Sequence, residues 1–108
     1  MNLAFVYLTS FECTAAGVLT DDEMWTVELK LLANPRAGTV VPGTGGVHKM
    51  RVAVPGQGKR GAARIIYLYV EHKDRVYFIL AYAKNKKSTL TESEKHQITA
   101  VVQRLKEE

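Results

Sequence analysis

The residues best suited to chemistry are cations, and they crowd one stretch of the chain together with most of its glycines. Residues 43–64, GTGGVHKMRVAVPGQGKRGAAR, carry Lys49, Arg51, Lys59, Arg60 and Arg64 along with six of the eight glycines. No carboxylate lies between Glu28 and Glu71 to neutralise them. Five fixed positive charges held close without acids repel one another unless an anion comes near, so the stretch reads as a polyanion site. Arginine would bring a bidentate fork to a phosphate and lysine a mobile point charge. For any single lysine here the plain alternative is a solvated surface charge.

Other residues that invite a chemical role have a simpler reading. His48 titrates near neutrality, but it alternates in phase with Met50 and Val52, which places it on an apolar strand face as a packed or edge histidine. His72 in a turn and His96 on a helix face have no metal-ligand spacing to each other or to Cys13, so no metal site is expected. Tyr67 and Tyr82 could stack on a base, but as aromatic residues of apolar strands they are expected in the core. Gly58-Lys59 lacks both the upstream glycine and the following Ser/Thr of a P-loop.

The 108 residues suffice for one domain with one core, and a hydrophobic fraction of 46% with 24% charged is ordinary for a globular chain. The net charge of +4 understates a segregation along the chain, because residues 29–91 hold twelve Lys/Arg against two acids. A basic middle favours nucleic acid, an acidic protein or an anionic membrane surface, and composition does not choose among them. Cys13 is the only cysteine, which excludes a disulfide framework and fits a reducing, cytoplasmic setting. No leader-like or membrane-spanning apolar run is read in the sequence.

The elements that must position these cations read as an α+β domain over residues 1–108. Residues 3–8, LAFVYL, predict a short strand buried on both faces. Thr9 with Glu12 and Thr20 with Glu23 have capping-box spacing and predict two helices. The second is expected to pack through Trp25, Leu29 and Leu32 and to stop at Asn34-Pro35. Residues 47–54 alternate, so Lys49 and Arg51 point to one side while Met50, Val52 and Val54 point to the other. Residues 55–61 predict a hairpin tip. Residues 63–70 predict the next strand, residues 71–75 a turn and residues 76–83, VYFILAYA, an interior strand. Thr91 and Glu94 open a final helix with Ile98, Val101, Val102 and Leu105 on one stripe. The expectation is a short N-terminal strand, two helices, an antiparallel sheet of about four strands and a C-terminal helix.

The runs LLANPRAGTVVPGTGG, GTGGVHKMRVAVPGQGKRGAARIIY and LAYAKNKKSTLTESE resemble, in that order and at similar spacing, the RelE/HigB family of bacterial toxins, closest to its HigB branch. The resemblance covers most of the chain. It implies an mRNA endonuclease acting on transcripts in the ribosomal A site, without metal or other cofactor, by attack of the ribose 2′-hydroxyl on the adjacent phosphate. It also implies a HigA-like helix-turn-helix antitoxin as partner and operator DNA reached through that antitoxin.

Carried over by position, the resemblance makes Lys49, Arg51, Arg64, Lys84 and Asn85 the candidate catalytic set. Lys59, Arg60, Lys86 and Lys87 are candidate contacts to RNA phosphates. Lys84-Asn85 stands where RelE has Lys-Arg, and Leu90-Thr91 where RelE has a tyrosine before its last helix. Both departures leave the general base open. His48, Ala62, Lys86 and Thr89 are smaller departures from the pattern. Two other readings remain beside the endonuclease. One is a ParE-like inhibitor of DNA gyrase that cleaves nothing, and the other is an attenuated relative that binds RNA or its antitoxin without cutting.

Overall fold

The computed structural model describes residues 2–53, 62–84 and 89–108. Its order is β1 (Ala4–Tyr7), α1 (Thr9–Ala15), α2 (Asp21–Ala33), β2 (Thr39–Val40), β3 (His48–Ala53), β4 (Ala62–Val70), a 3₁₀ turn (Glu71–Lys73), β5 (Arg75–Ala83) and α3 (Glu92–Glu107). One five-stranded sheet runs β1-β5-β4-β3-β2. This is the α+β arrangement expected, with one strand more than the four anticipated. The extra strand, β2, is a two-residue edge pairing with β3 that leaves no hydrophobic period to read.

The sheet is covered on both faces. Phe11, Met24, Val27 and Leu31 from α1 and α2 pack with Met50, Val52, Ile65, Tyr67, Val76 and Phe78 on one side. On the other, Ile98, Val102 and Leu105 of α3 pack with Val47, Ile66, Leu68, Val70, Tyr77 and Ile79. Strand alternation sends successive residues to opposite faces, so β4 and β5 serve two cores and carry apolar residues nearly throughout. A register shift at Ile66/Tyr67 lets both Ile79 and Leu80 face α3.

Three expectations are corrected. β1 is an edge strand, parallel to β5, and only partly covered, because among the described residues no strand lies on its outer side. The Thr9/Glu12 capping box does not form; Leu8 stands at the N-cap of α1 and makes no side-chain cap. Trp25, Leu29 and Leu32 are exposed, and α2 turns Met24, Val27 and Leu31 inward instead. The residues of the GTGG segment dock against α3: Gly43 accepts a hydrogen bond from Thr99 Oγ1 at 3.2 Å, and Gly45 accepts one from Lys106 Nζ at 2.8 Å. Gly45 has φ +80°, and a Cβ there would meet Val102 Cγ1 at 3.1 Å, so this glycine serves close approach to the helix.

The boxes at Thr20/Glu23 and Thr91/Glu94 both form. Val54 and the hairpin-tip residues 55–61 lie outside the described residues, as do residues 85–88.

Candidate functional site

Residues directly opposite one another in a sheet share a face, and two rows of such residues build the site. Arg51 of β3 faces Arg64 of β4, and Arg64 faces Tyr82 of β5. One row along, Lys49 faces Ile66, which faces Leu80. Ile66, Leu80 and Tyr82 belong to the core beneath α3, so Lys49, Arg51 and Arg64 lie on that same face. Lys84 follows β5, and its N–H donates to Ala62 O at 2.9 Å, carrying the β4–β5 ladder one step further.

The structure therefore brings Lys49, Arg51 and Arg64 together and sets Lys84 at the exit of the neighbouring strand. Lys59, Arg60, Asn85, Lys86 and Lys87 lie outside the described residues. Arg51 and Lys84 are exposed, whereas Lys49 and Arg64 are half-buried. Among the described residues none of these four cations has an ion-pair partner. Arg64 Nη1 is buried and has no hydrogen-bond partner among them. A buried guanidinium nitrogen left without an acceptor is unfavourable in the free protein and is ready to receive an anionic oxygen.

Tyr82, expected in the core, and Glu94, expected only as a capping residue, join this cluster. The Tyr82 phenol is pushed above its ordinary pKa, chiefly by burial; the Glu94 charge acts in the same direction and the Arg64 charge opposes it. At neutral pH the phenol therefore keeps its proton. The available signal was its spacing, since Tyr82 precedes Lys84 by two residues and so shares its strand phase. Glu94 is held at the start of α3, where its carboxylate accepts from Thr91 N at 2.8 Å. Leu90, just before α3, is buried among the residues under that helix and offers no titratable group.

Among the described residues, the opposite face carries no comparable row of cations. His48 stacks on Tyr67 with ring centroids 5.4 Å apart and planes 18° from parallel. Burial and the nearby Arg36 charge lower the pKa of His48 and favour the neutral imidazole. Tyr67 is fully buried, donating to Pro35 O and accepting from Gly38 N, both at 3.0 Å, so it serves the fold. Among the described residues no group of three or more His, Cys, Asp or Glu is placed to hold a metal ion, and no helix is long and apolar enough to cross a membrane.

Arranged in this way, paired guanidinium groups on a rigid sheet can hold and polarise a phosphodiester. Over most of its length the chain matches a solved structure of the Escherichia coli toxin RelE, a double arginine-to-alanine mutant in the free state. The TM-score is 0.57, the identity 14%, and the match covers 90% of this chain and 97% of that one. At that identity the match speaks for the fold. The family model described as the RelE toxin of the RelE/RelB toxin–antitoxin system matches residues 39–108, the part that contains β2 to β5 and α3. The chain belongs to the RelE toxin family.

Proposed function

We propose that this chain is a ribosome-dependent mRNA endoribonuclease of the HigB branch, the toxin of a type II toxin–antitoxin pair working in the cytoplasm. The observation that carries this reading is the Arg51–Arg64 pair, side by side on one sheet face, with a buried nitrogen of Arg64 unpartnered among the described residues. Attack of a ribose 2′-oxygen on the neighbouring phosphorus forms a P–O bond and expels the 5′-oxygen of the next nucleotide, leaving a 2′,3′-cyclic phosphate. Charge builds on the phosphoryl oxygens as the bond forms, and the two guanidinium groups are placed to stabilise it. Neither can take a proton at neutral pH.

Lys49 and Lys84 are the groups to accept the 2′-proton or return one to the leaving oxygen, because they flank the arginine pair, one on its sheet face and one at the exit of the neighbouring strand. Asn85 completes the set by its position in the family pattern. Lys59, Arg60, Lys86 and Lys87 hold RNA phosphates and make binding strongly salt-dependent. The partners are the ribosome with its A-site mRNA and a HigA-like helix-turn-helix antitoxin, which connects the toxin to operator DNA.

A second reading, an attenuated relative that binds without cutting, draws on Leu90. This buried leucine stands where RelE itself has a tyrosine before its final helix.

Primer extension on mRNA engaged with 70S ribosomes, comparing wild type with Arg64→Ala and with naked RNA, tests the proposal. Ribosome-dependent cuts at A-site codons that vanish in the variant are the expected result. A growth-inhibiting wild type that cuts nothing would overturn it in favour of gyrase inhibition, and a harmless protein that cuts nothing would favour the attenuated relative.

A further inference from the structure

Helix α2 presents two apolar stripes, and only one is used by the fold. Met24, Val27 and Leu31 are buried against the sheet, while Trp25, Leu29 and Leu32 stay 62%, 48% and 39% exposed. Single exposed apolar residues need no explanation, but three in a line at spacings of four and three form a contiguous strip of the kind that marks a protein contact.

The residues bordering the strip have one sign. With 3.6 residues per turn, Asp21, Asp22 and Glu28 project within about 60° of Trp25, while Lys30 projects well away from it. Glu28 accepts a hydrogen bond from the Tyr7 hydroxyl, and Asp21 and Asp22 have no ion-pair partner among the described residues.

This acidic border selects among occupants. A second copy docking by the same strip about a two-fold axis would set carboxylates against carboxylates. An anionic lipid surface would be repelled for the same reason. A helix whose apolar line is edged with lysine and arginine satisfies both the strip and its border.

We propose that the Trp25–Leu29–Leu32 strip of α2 is a docking site for a basic-edged amphipathic helix of a partner protein. The strip lies on the side of the sheet away from Arg51 and Arg64, so a helix seated there leaves the cationic row uncovered. Such a partner would hold or deliver the protein without plugging its site. The inference stands independently of RNA cleavage.

Trp25 is the only tryptophan, so its emission reports occupancy directly. The full chain is titrated with a synthetic helical peptide carrying leucines at i, i+3, i+4 and i+7 edged by lysines. A scrambled peptide of equal composition and a glutamate-edged version serve as controls. The expected result is a saturable blue shift with the lysine-edged peptide alone, weakened at least about tenfold in Leu29→Lys. Circular dichroism checks that this variant is folded, and Leu32→Gln replaces it if it is not. Equal binding by the scrambled or glutamate-edged peptide, or no shift at all, overturns the proposal. So does a concentration-dependent dimer, seen by sedimentation, that Leu29→Lys disperses.

Discussion

Arg51 and Arg64 stand directly opposite one another across the β3–β4 ladder, arginine against arginine, with no carboxylate paired to either among the described residues. Like charges in that relation destabilise a sheet. The free protein therefore holds a repulsion that a phosphate placed between the two side chains would relieve.

Arg64→Met, an apolar replacement of similar length, is expected to stabilise the fold by about 0.5–2 kcal/mol while abolishing cleavage. Inorganic phosphate should raise the melting temperature of wild type and leave that of the variant unchanged. Differential scanning calorimetry with and without phosphate checks both parts. A variant that melts earlier than wild type would mean that Arg64 contributes to stability rather than opposing it.

Tyr67→Phe should destabilise by about 1–3 kcal/mol, because Gly38 N–H and Pro35 C=O lose their shared partner in the interior. Gly38→Ala should act on the same joint. Its Cβ would come within 2.8 Å of Lys49 O and 3.0 Å of Tyr67 Oη, so β2 would be pushed from β3 and Lys49 displaced. Urea unfolding measures the first effect, and amide exchange at Thr39 and Val40 measures the second.

The folded state lowers the pKa of His48, so between its folded pKa and the ordinary value of about 6.5 the unfolded chain binds more protons. Stability contributed by the neutral imidazole is complete above about pH 6.5 and is lost as pH falls through that window. His48→Gln should flatten this acid limb. Denaturant midpoints between pH 7.5 and pH 5 provide the comparison; an unchanged slope in the variant would assign the limb to another group.

The two stripes of α2 should separate cleanly by mutation. Leu31→Ala removes a fully buried side chain and should cost about 2–5 kcal/mol, whereas Leu29→Ala should change stability by no more than about 0.5 kcal/mol. Thermal unfolding of the two variants side by side is sufficient.

Strands β3 to β5 and helix α3 were legible because their patterns have one solution. Alternation at residues 48–53 fixes which way Lys49 and Arg51 point, and a capping box followed by a 3–4 stripe defines α3. Helix α2 had two solutions, since Met24-Val27-Leu31 and Trp25-Leu29-Leu32 are both helical stripes. Only the position of the sheet decides between them. β1 misled for a related reason: an apolar run reports side-chain character, while exposure depends on whether another strand lies alongside. Arg51 and Arg64 were legible as cations, but their pairing was not, because register is a relation between strands. The link from Tyr82 to Glu94 likewise depends on where the start of α3 comes to rest.

The parallel pairing of β1 with β5 has a consequence for the order of synthesis. Ala4 must wait for Arg75, about two thirds of the chain later, and Phe11 and Val27 wait for Val76 and Phe78. Pairings this distant form late and slowly. A nascent copy leaving the ribosome therefore exposes the apolar residues of β1, α1 and α2 until β5 emerges, and the cationic face is assembled only once β4 has followed β3.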